Sequence, residues 1–329
     1  MSKILVVFGA TGIQGGSVVK AILADPVLSR DFKIKAVTRD PSKDSAKALA
    51  QQGVEVVKAD LDSKDSLRDA LKNAHTVFLV TDFFGLLRNP NPTLMGEGKN
   101  LMDVAKEREI LHGKNAADVA KEMEVQHLIF SSYAYISKVS KGKYVNVRQV
   151  DSKGEVEEYI RGIGVPATFL HGGTYMSNFF RGVGLSFQKK PDGTYKLPLP
   201  APANASRFPL IKPTDTGNYV KAIIKHREQL LGERFFAASG YYTAQEIVDE
   251  FAEIKGKEVE YSEITQDEFI STLPPFLQQQ MLETFLIMAD PDVGLFPGYP
   301  DLKPFHEMLD EQPISWKKYV ATDATYKDF

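Results

Sequence analysis

Short apolar runs alternate with amphipathic stretches along the first half of the chain. Ile4–Phe8, Lys33–Thr38, Val54–Lys58, Thr76–Val80 and His127–Ser131 are rich in Val, Ile and Phe and lack the polar alternation of a half-exposed strand. Between them, apolar residues recur at helical spacing near residues 14–24, 43–52 and 65–73, and over a longer stretch near 93–124. Repeated strand–helix units with strands apolar on both faces predict a parallel sheet covered by helices on both sides. Gln149–Arg161 reads as a further helix, with Val150, Val156, Tyr159 and Ile160 on one face, and Val165–Leu170 as a sixth strand.

The rhythm is lost after about residue 172, where prolines fall at 191, 198, 200, 202, 209 and 213. Phe208–Ile211, Phe235–Ala238 and Glu258–Tyr261 are expected as short strands. Pro213 to Gly217 opens a helix to about His226, and Thr243 caps another over Ala244–Ile254. The pattern divides the chain into a parallel-sheet domain over 1–172 and a smaller α+β lobe over 173–329, with some elements of the lobe returning to the sheet. In an open α/β sheet the ligand crevice lies at the carboxyl ends of the strands, and such a lobe would wall it. The stripe Phe276, Leu277, Met281, Leu282, Phe285, Leu286 and Met288 has helical spacing. It is read as core or lobe packing, with a partner groove or an apolar substrate wall as the alternative.

The first apolar run breaks into Gly9-Ala-Thr-Gly12-Ile-Gln-Gly15 and then into an amphipathic stretch. A strand, a glycine turn and a helix N-terminus in that order predict a doubly wound, Rossmann-type sheet that holds a dinucleotide. Gly9 is expected to make the tight turn, Gly12 to let backbone approach a pyrophosphate, and Gly15 to let the helix pack on the strand. Free N–H groups and the positive helix end face the phosphates. Gly9, Ala10, Thr11, Gly12, Ile13, Gln14 and Gly15 are therefore candidate cofactor contacts.

The residue ending the second strand discriminates NAD from NADP, because a carboxylate there accepts from a ribose hydroxyl and an arginine takes a 2′-phosphate. This chain has Arg39, with Lys43 as a second charge, so NADP(H) is favoured over NAD(H). Asp40 would either contact a ribose hydroxyl or neutralise Arg39. Asp60 and Leu61 follow the third strand at the expected adenine edge, where Asp62 could equally cap the next helix. Thr81, Asp82 and Phe83 end the fourth strand beside the expected ribose and nicotinamide, and Phe83 with Phe84 would cover a ligand or the second lobe.

Composition removes whole classes of chemistry. The 329 residues contain no cysteine, which excludes disulfides, thiolate catalysis and cysteine-ligated zinc. The formal charge of −3 gives no electrostatic reason to expect direct nucleic-acid binding. Nothing reads as a signal peptide, and no apolar stretch approaches the ~18 residues of a membrane span. A cytoplasmic protein is expected, with the nucleus open to a regulator. None of the six histidines pairs with carboxylates at a metal-ligand spacing, so no metal is expected. His171, at the end of the sixth strand, is assigned an ordinary capping role. A 12-residue segment from Gly98 to Glu109 recurs from Gly113 to Glu124, read as a local duplication that lengthens a helix or adds a second one, or else as added surface for a partner.

The chain resembles the NmrA-like proteins, atypical members of the short-chain dehydrogenase/reductase superfamily. The resemblance rests on Gly9 to Gly15, Val37-Thr-Arg39-Asp-Pro41, Asp60-Leu-Asp62, Gly113-Lys-Asn115, Ser152-Lys153-Gly-Glu-Val-Glu-Glu-Tyr-Ile160, Gly164-Val-Pro166 and Thr174-Tyr-Met-Ser-Asn178-Phe. It implies a Rossmann-type domain that prefers NADP(H), with a small C-terminal lobe over the nicotinamide.

Standard members of that superfamily use a Tyr-x-x-x-Lys pair for proton exchange. The nearest approach here is Tyr144-Val-Asn-Val-Arg148, with the wrong cation, so the dyad is missing. A related isoflavone-reductase-like branch relies on a lone lysine, and Lys153 matches its position. Lys153 is therefore the candidate acid/base, its other role being to hold the nicotinamide ribose. Thr174, Tyr175 and Asn178, after the sixth strand, are candidate nicotinamide contacts, with lobe packing as the alternative. Two functions follow. The favoured one is an NADP(H)-binding redox sensor that acts on a protein partner such as a transcription factor. The alternative is an NADPH-dependent reductase of a quinone, enone, imine or phenolic metabolite, its pocket lined by Phe83, Phe84, Tyr175 and Phe179.

Overall fold

A computed structural model describes residues 2–88 and 100–327. Seven parallel strands form the central sheet: β1 (Lys3–Val7), β2 (Phe32–Thr38), β3 (Glu55–Lys58), β4 (Thr76–Leu79), β5 (His127–Ser132), β6 (Ala167–Gly172) and β11 (Arg234–Ala237). Their spatial order, β11-β6-β5-β4-β1-β2-β3, reverses direction between β1 and β4, which is where a doubly wound sheet opens its ligand crevice. The chain therefore has the Rossmann-type α/β architecture that its apolar pattern predicts.

β1 shows why the strands lack polar alternation. Leu5 and Val7 pack with Val18, Val19 and Ile22 of helix Ile13–Ala24 on one face. Val6 and Phe8 pack with Leu67, Ala116, Ala120, Val156 and Ile160 on the other. The second face is covered by helices Lys64–Leu71, Leu101–Glu122 and Arg148–Ile163. Gly113 lets the last two approach closely, since a Cβ there would meet Val156 Cγ1 at 2.5 Å.

The remaining strands make two small sheets. β7 (Thr174–Tyr175), β10 (Phe208–Ile211) and β12 (Gly240–Tyr242) form one, in the order β12-β10-β7. β8 (Gln188–Lys189), β9 (Tyr195–Leu199) and β13 (Val259–Glu263) form the other. Phe179, Phe208, Phe251, Phe285 and Trp316 are at the centre of the lobe core. Leu282, Phe285 and Met288 of helix Gln278–Ala289 join it, which is the packing role expected of that apolar stripe. The expected strand at Phe235–Ala238 is β11, on the edge of the central sheet.

Both copies of the internal repeat, from Asn100 onward in the first, lie in or at the ends of one uninterrupted helix, Leu101–Glu122. The beginning of the long helix expected near 93–124, and Gly98 and Lys99 of the first copy, lie outside the described residues. Asn100 caps the helix by accepting from Met102 N at 2.8 Å, whereas its repeat partner Asn115 donates from Nδ2 to Leu61 O at 2.9 Å. The duplicated letters thus do different work at the two positions.

Candidate functional site

The glycine turn after β1 leads directly into an uncapped helix N-terminus. Gly9 adopts φ +63°, a conformation costly for any residue with a Cβ. A Cβ on Gly15 would sit 2.4 Å from Gly9 O and 2.5 Å from Phe8 O, so only glycine lets the helix start against the turn. Gly12 is the extended N-cap; no side chain caps the helix and no acidic residue occupies its first turn. Thr11, Gly12 and Ile13 are exposed while Ala10 is buried. The N-terminal amides are thus open to an anion. Gln14 donates from Nε2 to Tyr175 Oη at 2.8 Å, joining the turn to β7 across 161 residues, and among the described residues its buried Oε1 has no partner. These features fit a bound dinucleotide.

At the end of β2, Arg39 and Lys43 are exposed, and among the described residues neither has a carboxylate within ion-pair distance. Asp40 does not neutralise Arg39: its Oδ1 accepts from Ser42 N at 2.9 Å and from Ser42 Oγ at 2.6 Å. Those bonds, the Ser42 hydroxyl first, hold its pKa below the ordinary value. Two exposed cations therefore stand where the second ribose is expected.

Beyond β3, Asp60 Oδ1 accepts from Asp62 N at 3.0 Å. Asp62 does not cap the following helix; Ser63 does, accepting from Ser66 N. Asp62 instead accepts from Arg108 and lies 2.9 Å from His112 Nε2, because helix Leu101–Glu122 brings both onto it. Asp60, Asp62 and His112 thereby converge, their ligand atoms within 4.8 Å of one another, a grouping that local spacing could not show. The Arg108 guanidinium already balances Asp62 there.

A buried polar cluster lies near the ends of β4 and β5. Lys153, on helix Arg148–Ile163, is buried, and its Nζ donates to Thr81 Oγ1 at 2.7 Å, Thr81 O at 3.0 Å and Glu109 Oε1 at 2.6 Å. Glu109 is fully buried and its other oxygen accepts from Ser152 Oγ. All three ammonium protons are thus engaged. Tyr133, in the same region, has its hydroxyl pushed above the ordinary range by burial, then by the charges of Tyr175 and Glu109. Four residues before Lys153, where the tyrosine of Tyr-x-x-x-Lys would stand, is Gln149. Tyr144 donates instead to Asp290 at 2.9 Å, and Arg148 to Asp103, so neither approaches a dyad.

Thr81 is buried beside Lys153, Asp82 Oδ1 accepts from Gly85 N at 2.8 Å, and Phe83 is buried against Met102 and Ala105. Leu61 contributes its carbonyl to Asn115. Thr174 and Tyr175 lie on β7, and Asn178 starts the short helix Asn178–Arg181. The aromatic pocket is not assembled as expected. Phe83 and Phe84 meet edge to face at 5.6 Å, but Phe179 is buried against Trp316 at 5.2 Å in the lobe core. His171, expected as a cap, is fully buried, with its Nε2 2.8 Å from Glu157 Oε2, and caps no helix among the described residues.

The sequence profile of the NmrA-like family matches residues 1–311, and the chain belongs to that family. A curated relative from Aspergillus campestris, the NmrA-like family domain-containing oxidoreductase cpsB, is 29% identical over 299 residues, covering 86% of this chain and 83% of its own. The crystal structure of NmrA, a negative transcriptional regulator, in complex with NADP superposes with a TM-score of 0.76 at 19% identity, over 98% of this chain and 95% of that one. NmrA has also been solved with NAD. The triphenylmethane reductase of Citrobacter sp., complexed with NADP(H), gives a TM-score of 0.70 at 17% identity, over 97% of this chain and 100% of that one. Among the described residues, no helix is long and apolar enough to cross a membrane.

Proposed function

We propose that the protein is an NADPH-dependent reductase of a C=O or C=N bond, with Lys153 as the proton source. The observation that carries this reading is the buried Ser152–Glu109–Lys153–Thr81 array at the ends of β4 and β5. A buried ion pair adds little stability compared with apolar packing, so its presence at a ligand crevice supports a chemical role. Gly9 to Gly15 bind the pyrophosphate, and Arg39 with Lys43 takes a 2′-phosphate, which selects NADPH over NADH. Asp60, Leu61, Thr81, Asp82 and Phe83 line the adenosine and nicotinamide riboses, and Thr174, Tyr175 and Asn178 close the nicotinamide end.

Bound there, a reduced nicotinamide supplies a hydride to the electrophilic carbon of the substrate. Glu109 Oε1, accepting from Lys153 Nζ at 2.6 Å, holds the lysine against Thr81. Thr81 Oγ1 accepts one Lys153 proton and retains its own hydroxyl proton to give. Thr81 gives that hydroxyl proton to the substrate oxygen or nitrogen as it takes one from Lys153 Nζ, and with the hydride on carbon the C=O or C=N bond becomes CH–OH or CH–NH. Lys153 is left neutral until solvent restores its proton. The names of curated relatives support the same reading. NADPH oxidation in the presence of carbonyls, quinones and imines, with a Lys153 variant alongside, tests it.

A second reading, a redox sensor that binds a protein partner, is favoured by the Gln149 that replaces the proton-transferring tyrosine and by the NmrA likeness. Under that reading Lys153 only positions the cofactor.

A further inference from the structure

The ends of β5 and β6 lead into two phenols that the proton path through Thr81 does not use. Ser132 stands opposite His171 in the β5–β6 register, so Tyr133 follows level with Gly172. A Cβ on Gly172 would sit 3.9 Å from Tyr133 Oη, which places the hydroxyl at the carboxyl end of β6. In the β4–β5 register Leu79 stands opposite Phe130, which brings Thr81 level with Ser132, one residue before Tyr133. Helix Arg148–Ile163 closes on the same segment. Ser132 Oγ lies 3.5 Å from Lys153 O, and a Cβ on Gly154 would meet Tyr135 N and Cα at 2.5 Å. Tyr133 is thus held between the Lys153–Thr81 pair and the start of the lobe.

Tyr175 stands across the seam where the lobe meets the sheet. Its ring packs on the apolar core of the sheet, whereas the ring of Tyr133 packs on the core of the lobe, and both residues keep part of their surface exposed. The two are close enough for a charge on Tyr175 to act on Tyr133. Tyr175 Oη accepts from Gln14 Nε2 at 2.8 Å, which leaves its own proton to donate. Burial raises the pKa of both phenols, and at Tyr133 the charges of Tyr175 and Glu109 raise it further, so both keep their protons at neutral pH. Neutral phenols at the carboxyl ends of parallel strands are fixed hydrogen-bond donors, suited to an oxygen that gains negative charge.

We infer that Tyr133 and Tyr175 donate to the oxygen of the bond being reduced, which makes the substrate a ketone or aldehyde rather than an imine. As hydride from NADPH forms the new C–H bond, the C=O π pair moves onto oxygen, and the two phenols stabilise that charge until the Thr81 proton completes the hydroxyl. An imine is reduced as its protonated cation, whose nitrogen has no lone pair to accept from such donors. The substrate class rests on the reductase reading; the donor pair itself does not.

The probe is 4-nitrophenol, whose phenolate absorbs in the visible, titrated with pH on the full chain loaded with NADP+. Donors that stabilise the bound phenolate should let the probe ionise at a pH about 1 lower in the parent than in Tyr133→Phe or Tyr175→Phe. With NADPH, the parent should reduce ketones or aldehydes faster than imines, and each phenylalanine variant should lose about 10²-fold in that rate. Ionisation at the same pH in the parent and both variants, or no binding of the probe at millimolar concentration, would overturn the donor pair. Faster turnover of imines than of carbonyl compounds would overturn the substrate class. If a variant fails to fold, the probe on the parent decides, and ionisation no easier than in free solution counts against the pair. A protein that shifts the probe as expected but oxidises NADPH with no substrate keeps the donor pair and loses the reductase reading.

Discussion

Lys153 and Glu109, 44 residues apart in sequence, form a 2.6 Å ion pair in which the carboxylate is fully buried and the ammonium nearly so. Removing one member of such a pair leaves an uncompensated charge in a low dielectric. Glu109→Gln should therefore lower folding stability by about 3–5 kcal/mol in urea denaturation. Lys153→Met added to Glu109→Gln should recover most of that loss. Additive losses in the double variant would show that the two groups are not coupled.

Gly15 is tested by adding a single methyl group. Gly15→Ala places a Cβ 2.4 Å from a backbone carbonyl that cannot move without displacing β1. A loss of about 1–3 kcal/mol in stability is expected, with dinucleotide affinity reduced at least tenfold in fluorescence titration. A variant that binds as tightly as the parent would show that the helix start is looser than the structure has it.

Strand runs, the glycine turn and the cation at the end of β2 were legible because each is a local pattern, set by residues within a few positions of one another. Glu109 was not. It sits in Lys-Glu-Arg-Glu, letters that read as a solvated face. The available signal was its phase: Met102, Ala105, Glu109, His112 and Ala116 follow helical spacing and are all buried, so Glu109 occupies a core-facing position. The Asp62 cap misled for a related reason. Asp62 and Ser63 are both good caps, and the choice was made by Arg108, which arrives from a distant helix. Phe179, expected in the pocket with Tyr175, lies on a short helix and packs into the lobe core. The pairing of Glu157 likewise draws on four separate segments.

On the proposed reading, Arg39 selects the cofactor. Arg39→Ala should weaken NADPH binding by about 10–100-fold and NADH binding by no more than about twofold, measured by titration of cofactor fluorescence. Lys43→Ala should act in the same direction and more weakly. Equal losses for both cofactors would remove Arg39 from the role of discriminator.

Glu157 predicts an acid limit to stability. It accepts from Ser132 Oγ at 2.8 Å, Arg234 Nε at 2.8 Å and Arg161 Nη2 at 3.0 Å, and its Oε2 lies 2.8 Å from His171 Nε2. Burial alone would raise its pKa; His171 and Arg234 outweigh that and bring it down to about 2. Its folded pKa lies below the ordinary 4.5, so the stability it confers is present above that value and lost as pH falls from about 4.5 toward 2. Denaturation midpoints across that window should fall steeply in the parent and with a shallower slope in Glu157→Gln. Identical slopes would place the acid sensitivity elsewhere.

The reductase reading is tested most directly by loss of NADPH absorbance with carbonyl, quinone and imine substrates, in the parent and in Lys153→Met. Turnover on at least one class is expected, falling about 10²–10⁴-fold in the variant while NADPH affinity, measured in parallel, stays within a few-fold. A parent that binds NADPH yet oxidises it with none of these substrates, or a Lys153→Met variant with an undiminished rate, would contradict it.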